Sequence, residues 1–442
     1  MLFCIKSNNN IMRTKIIYTL LLVVIFSTNL SAQENELLNK YRKMAISYNQ
    51  DLKAAKLNEL SAVENAKSAK TDFLPKLSAN AVYSYTGNPM EINMMLPGSS
   101  TPIGFKGDNA AYSGAVFLAQ PIYQGGRVKN AYKLANIQTD IAEHTTEKTI
   151  LDVLYQTDVS YWTAVAETEL VSIINSYLNS IESLVKTVKE RVDAEQVSRN
   201  DLLMVEVKLN EVKYIQKQSE TNLHNSLLAL NSIIGQDLKT KLIIEDSVPS
   251  SVSQKLSSSS VYNRPELEIA QMKIEAQQSI TKINDARFRP SLILGVEGNY
   301  SSPGYDFKKD LDPNYIVQLK LKIPIFEWNK RKHEKKSYEL KEDIAKTQYQ
   351  KVKDNISLEI EAAYSSYLQS IEQVYLNKSS LKKAEENEII SLERYEDGYS
   401  SITEVIDSQL FLQTARKNFV AAKIATQLYY SAYVRALGKK SI

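Results

Sequence analysis

Two stretches of this 442-residue chain hold neither glycine nor proline: the residues between Gly126 and Gly235, and those from Trp328 to Asp397. Glycine weakens a helix interior through backbone entropy, and proline breaks it by lacking an N–H and clashing with the preceding turn. Runs this long without either predict helices well beyond the usual ~10–14 residues. A helix from Lys129 to about Glu195 extends roughly 100 Å at about 1.5 Å per residue. No globular core is that wide, so such helices must pack lengthwise on other helices. All eleven prolines fall at or before Pro324, mostly beside segments of a different period.

The apolar spacing agrees. Ile360, Tyr364, Tyr367, Ile371, Val374 and Leu381 advance by 4, 3, 4, 3 and 7, with Lys378 at the skipped place. Tyr177, Ile181, Leu184 and Val188 advance by 4, 3 and 4. This is the seam of a coiled coil. Near the prolines the period becomes two. In "NYIVQLKLKIP", Tyr315, Val317, Leu319, Leu321 and Ile323 take one face, and Gln318, Lys320 and Lys322 the other. "LILGVEGNY" (292–300) behaves alike, and "KLSANAVYSY" (76–85) and "AYSGAVFLAQP" (111–121) more weakly. Such segments suit the wall of a transmembrane β-barrel; the same alternation also describes a half-buried soluble sheet. Four strands cannot close a barrel, and lipid tolerates no open edge. If these strands lie in a membrane, several chains must share one barrel.

The chain repeats itself. "DLKAAKLNEL…TDFLPKLSA" (51–79) aligns without gaps with "ELEIAQMKIE…ARFRPSLIL" (266–294), Pro75 falling on Pro290 at a shift of 290 − 75 = 215. "QPIYQGGRV" (120–128) aligns with "IPIFEWNKR" (323–331), Pro121 on Pro324 at 324 − 121 = 203. The first copy therefore carries 215 − 203 = 12 extra residues, within 86–109, where an exposed loop is expected. Each copy reads helix, strand, loop, strand, then a helical hairpin.

The N-terminus reads as a secretory signal: "MRTK", an apolar run, then "STNLSAQ", with cleavage expected after Ala32 and either Met1 or Met12 as the start. Without residues 1–32 the chain loses Lys6, Arg13 and Lys15, leaving 51 basic and 51 acidic side chains. That balance excludes the basic surplus a nucleic-acid binder needs. The single cysteine, Cys4, lies in the leader, so no disulfide or thiolate site is expected. No later run is apolar and long enough for a transmembrane helix.

The paired "DLKAA"/"ELEIA" segments, the "FLPKL"/"FRPSL" strand entries, "QPIYQGGRV" and the tips "SRNDLLMVEVKLNE" (198–211) and "EDGYSSITEVIDSQ" (396–409) together resemble the TolC-like outer-membrane efflux proteins. The resemblance covers essentially the whole mature chain. It implies an α+β membrane protein with long α-helical coiled-coil hairpins forming a trimeric α-barrel. It also implies four β-strands per chain that contribute to a shared 12-stranded outer-membrane β-barrel, on an internal two-fold repeat. The expected organisation is a signal (1–32), then repeat 1 (33–248) with strands near 76–85 and 111–121 and hairpin 127–240. A Ser-rich linker or equatorial segment (249–263) leads to repeat 2 (264–442), with strands near 291–300 and 314–324 and hairpin 329–437. The implied role is a passive duct of a tripartite efflux or type I secretion system. Its partners would be a periplasmic adaptor, an inner-membrane pump of the RND or ABC type, and outer-membrane lipid. The helical tube would stand in the periplasm. A periplasmic coiled-coil adaptor or spacer is the alternative; it accounts for the heptads but not for two strand pairs bounded by matched prolines.

No enzyme constellation or cofactor motif is present: His144, His224 and His333 share no ligand spacing, and Gly125-Gly126 lacks the rest of a nucleotide fingerprint. The chemistry is expected at the two tips. Ser198-x-x-Asp201 and Ser401-x-x-Glu404 fit helix capping boxes. Gly398 can take the left-handed conformation of a helix end; the first copy has Glu195 there, so a different turn is expected. By resemblance, Glu404 and Asp407 match the acidic pair at the constriction of the tube, a gate that in a trimer becomes rings of carboxylates attracting cations. A capping role for Glu404 and a helix N-terminal role for Asp407 need no pore. Also by resemblance, Tyr395 matches a tyrosine that locks the tip. The partner arginine corresponds here to Ser400, with Arg394 and Arg199 as nearby substitutes. The tip residues Ser198, Asp201, Gly398 and Ser401 would also meet the adaptor.

Overall fold

The computed structural model describes residues 36–98, 100–244, 247–249, 264–304 and 310–440. The expected signal (1–32) and residues 250–263 of the expected linker lie outside them. In chain order the elements are α1 (Glu36–Tyr48), α2 (Gln50–Thr71), β1 (Lys76–Tyr85), β2 (Glu91–Met94), β3 (Ile103–Lys106), β4 (Ala110–Gln124), α3 (Arg127–Asp193) and α4 (Arg199–Ile234). Then follow α5 (Pro265–Asp285), a 3₁₀ turn (Ala286–Phe288), β5 (Ser291–Ser302), β6 (Asp312–Lys322), α6 (Lys330–Glu396) and α7 (Ile402–Ala436). With no breaker inside them, α3 and α6 each run 67 residues.

The chain forms two compact units. One comprises Lys56–Thr145 and Glu266–Val352. Its sheet has the order β1-β4-β5-β6, antiparallel throughout. Register aligns one apolar face across all four strands: Leu77 beside Leu118, Leu118 beside Val296, Val296 beside Val317. The other face carries Ser78, Phe117, Glu297 and Ile316 in one row, and Asn80, Ala115, Asn299 and Asn314 in another. Tyr315, Val317, Leu319 and Leu321 are all exposed. Aromatic side chains gather at one end of the apolar face, Tyr83, Tyr85, Tyr112, Tyr300 and Tyr315, and Tyr123 stands at the other, where the exposed Phe326 and Trp328 follow the end of β6. That is the pattern of a lipid-facing barrel wall. Among the described residues, β1 and β6 each leave one edge unpaired. The segment expected as a plain loop contains a small hairpin, β2 with β3. Its four-residue strands are too short for a periodicity argument.

Close packing explains the first glycine of the Gly-Gly step. A Cβ on Gly125, at φ +64°, would lie 2.6 Å from the Ala286 carbonyl oxygen and 2.8 Å from the Arg289 Cβ. That junction is tied further by Asp285, which accepts from Arg289 (2.7 Å) and from Arg331 (3.0 Å). These two arginines hold the Asp285 carboxyl below its ordinary pKa, outweighing a larger single contribution from burial.

The other unit holds the described parts of Met1–Ala55, Thr146–Pro265 and Lys353–Ile442. Its main core joins Leu38 and Tyr41 of α1, Tyr161, Trp162 and Val165 of α3, Leu230 and Ile234 of α4, and Val420 of α7. Buried charge there is paired: Arg42 with Asp158 at 2.7 Å, and Lys423 with Glu169. Arg435 bridges Asp152 and Glu359. The α3 seam is buried at Tyr177, Ile181, Leu184 and Val188. The α6 seam departs from expectation at one place: Ile371 is 42% exposed, and the turn is filled by buried Ser370 between Tyr367 and Val374. Both positions satisfy the 3-4 spacing, so spacing could not choose between them.

Left-handed residues reveal the repeat at backbone level. Apart from Gly98, the described residues with positive φ pair at a shift of 203: Gly125 with Trp328, Gly126 with Asn329, Glu195 with Gly398, and Gly235 with Gly438. The tertiary path dictates these conformations whether or not glycine is present.

Candidate functional site at the hairpin tips

The α3–α4 and α6–α7 tips share a core of Leu184, Val188, Val205, Tyr395, Ile402 and Val405. Both helices that end here use the same closure. The Gln196 N–H donates to the Arg191 carbonyl (2.9 Å) and the Glu195 N–H to that of Val192 (3.0 Å). In the other copy Tyr399 donates to Arg394 (2.8 Å) and Gly398 to Tyr395 (3.1 Å). This is the Schellman arrangement, which requires a left-handed residue. The sequence, with Glu195 at this place, predicts a different first turn. Instead Glu195 adopts φ 60°, beside 79° for Gly398. Its strain, about 1–2 kcal/mol for a residue bearing a Cβ, is offset by the satisfied carbonyls.

The capping boxes, by contrast, differ. Ser198 accepts from the Asp201 N–H, and the Asp201 carboxylate accepts from the Ser198 N–H, so the box is complete. Ser401 accepts from the Glu404 N–H at 3.3 Å, but no return bond from Ser401 to the Glu404 carboxylate forms. The capping explanation of Glu404's side chain is thus not realised. Glu404 and Asp407 are both exposed, three apart on α7, and neither carboxylate joins an ion pair among the described residues.

Tyr395 is 3% exposed. Its contact is with Arg191, which neither substitute named from the sequence anticipated. The Arg191 guanidinium lies 4.9 Å from the Tyr395 ring centroid and donates to the Tyr395 carbonyl (2.9 Å) and the Glu396 carbonyl (2.6 Å). It therefore caps the C-terminal end of α6 from the end of α3. Arg394 and Arg199 are exposed. Ser400 donates its hydroxyl to the Ser391 carbonyl at 3.3 Å, within its own tip. Burial pushes the Tyr395 hydroxyl above its ordinary pKa, with the Arg191 charge opposing and the Asp201 charge adding. The hydroxyl oxygen itself has no hydrogen-bond partner among the described residues. One signal could have found Arg191: it stands 203 residues before Arg394, the same place in the other copy (394 − 191 = 203).

Comparison with known proteins follows the repeat. The model of the outer membrane efflux protein family matches residues 42–236 and again 256–439. No curated protein sequence matches significantly. Among solved structures, the fold is similar to the CmeC outer membrane channel of Campylobacter jejuni, at 20% identity, TM-score 0.74, covering 91% of this chain and 85% of that one. It is also similar to the outer membrane protein VceC of Vibrio cholerae, at 16% identity, TM-score 0.75, 91% and 96% covered. The open state of the MtrE outer membrane channel of Neisseria gonorrhoeae gives 16% identity, TM-score 0.75, 91% and 89%.

Proposed function

Because this chain belongs to the outer membrane efflux protein family, we propose that three copies of it close one 12-stranded β-barrel in the outer membrane and continue as a helical tube in the periplasm. The observation that carries the reading is the four-stranded sheet with a continuous apolar face and, among the described residues, two unpaired edges. In lipid those edges must be satisfied by other strands, and three copies of four strands give a closed barrel. The tube passively conducts cargo delivered by an inner-membrane pump, of the RND or ABC type, through a periplasmic adaptor that meets the hairpin tips at Ser198, Asp201, Gly398 and Ser401. This is the duct of a tripartite efflux or type I secretion system. A periplasmic spacer would have no use for an exposed apolar sheet.

Glu404 and Asp407 form the constriction. Three copies bring six carboxylates together at one mouth, where such rings attract cations and slow polycations. Arg191 and Tyr395 fasten the tip in its closed form. The 86–109 hairpin faces the cell exterior. The reading is tested by the mass of the detergent-purified protein, expected at three chains, together with a protease-cleavable tag inserted at Gly98 and cut in intact cells. A monomeric mass, or a tag cut only after the cells are broken, would sink it.

A further inference from the structure

The repeat specifies how neighbouring copies join, residue by residue. Shifting β1 by 215 and β4 by 203 converts each β1–β4 pair into a β5–β6 pair: Lys76–Ala119 becomes Ser291–Lys322, and Tyr85–Ala110 becomes Tyr300–Pro313. All ten pairs of the first hairpin transform correctly. The same operation on the β4–β5 seam inside the chain yields β6 against the β1 of another copy. Resting on the trimer proposed above, we propose that the seam between copies pairs Leu319 with the neighbouring copy's Tyr83, Leu321 with its Ala81, Lys322 with its Asn80 and Glu327 with its Lys76.

Three independent features of the chain favour this register. Faces match: Leu319 and Leu321 belong to the apolar face, as do Ala81 and Tyr83, while Lys322 and Asn80 belong to the other. A one-residue slip would reverse every side chain. Charge matches, since Glu327 falls opposite Lys76. Strand length also fits. β4 runs on to Gln124 because β5 pairs with it, past an irregularity at Pro121–Tyr123. β6 stops at Lys322, and the equivalent residues 323–327 are irregular, with Ile325 94% exposed. They become strand when the neighbour's β1 supplies the missing ladder. The two seams differ at their helix end. Gly125 leaves no room for a side chain against Ala286, whereas its counterpart Trp328 is 85% exposed. Trp328 therefore rests against the neighbouring copy's Thr71 and Leu74, and the seam between copies is wider there than the internal one.

The test is oxidative cross-linking of the full-length protein in a Cys4→Ser background, which is then free of cysteine. Leu319→Cys with Tyr83→Cys should give covalent dimers and trimers. Leu319→Cys with Ala81→Cys, or with Tyr85→Cys, should give little, because a two-residue slip adds about 6.8 Å along the strand and exceeds the ~7 Å disulfide limit. Val116→Cys with Gly298→Cys, the internal counterpart, forms a bond within one chain and reports a folded sheet. Solution mass separates the two claims. A three-chain mass with cross-links only in a slipped pair, or in none, overturns the register and leaves the trimer standing. A monomeric mass with an intact internal bond overturns both. Trimer mass with the 319/83 cross-link supports both.

Discussion

Arg191 offers the sharpest single perturbation, because its contacts can be counted. It donates two hydrogen bonds to carbonyls at the end of α6, at 2.9 and 2.6 Å, and its guanidinium lies 4.9 Å from the buried Tyr395 ring centroid. Charge-assisted bonds contribute about 1.5–3 kcal/mol each when desolvated. The one to Glu396 is exposed, so the lower figure suits the Tyr395 bond and less than about 1 kcal/mol the other. The cation–π contact adds about 0.5–1 kcal/mol. Arg191→Gln should therefore ease opening of the last turn of α6 by about 2–3 kcal/mol, which is roughly 30- to 150-fold at tenfold per 1.4 kcal/mol. Amide hydrogen exchange reads this directly. The Gly398 and Tyr399 N–H groups, bonded to the Tyr395 and Arg394 carbonyls, should exchange faster by that factor. The Gln196 amide at the other tip should change little. Arg191→Lys keeps the charge but not the fork, and should fall between. Exchange at Gly398 and Tyr399 that changes less than about threefold in Arg191→Gln would refute the clamp.

Glu195→Gly should slow exchange of the Gln196 amide about two- to fivefold, relieving left-handed strain against the entropy glycine loses, whereas Glu195→Gln should do nothing. Gly398→Ala, where a Cβ meets no atom within 4 Å, should speed Tyr399 exchange purely through backbone strain. Gly125→Ala should lower the unfolding temperature markedly, since its Cβ has no room against Ala286; an unchanged melting curve would contradict the close approach. Burial, with the Glu211 charge adding, pushes the Tyr177 hydroxyl up to about 12 from 10.0. The folded form then holds a proton that the unfolded form releases, so stability falls as pH rises from about 10 through 12. Tyr177→Phe should lessen that alkaline loss, which buried Tyr367, Tyr395 and Tyr433 share. It should also not destabilise at neutral pH, because the hydroxyl has no hydrogen-bond partner among the described residues; pH-dependent melting checks both.

What the sequence made legible was whatever depends on local rules. Absence of Gly and Pro marks α3 and α6, and alternation marks β5 and β6, because each residue's own preference agrees with the fold. Legibility ended where tertiary packing overrides preference. Nothing local announces that Glu195 and Trp328 take positive φ; the path imposed by the repeat does, and it overrules their propensity, whereas Asn329 is of a type that tolerates that conformation. Ser370 fills the α6 seam in place of Ile371 because the partner helices, absent from a one-dimensional pattern, select one of two allowed rows. Arg191 was hidden for another reason: its partner lies 204 residues away in sequence, at Tyr395. The tip carboxylates were visible, but only the structure could say that Asp201 returns its capping bond and Glu404 does not.

The proposed duct is narrowed by Glu404 and Asp407. Single-channel recording of the purified protein in a planar bilayer, with hexaamminecobalt(III) added to one side and then the other, tests it most directly. A stable conductance blocked from one side only, with the block relieved in the Glu404→Gln, Asp407→Asn double variant, is the predicted result. Block from neither side, or block equally strong in the double variant, would contradict it.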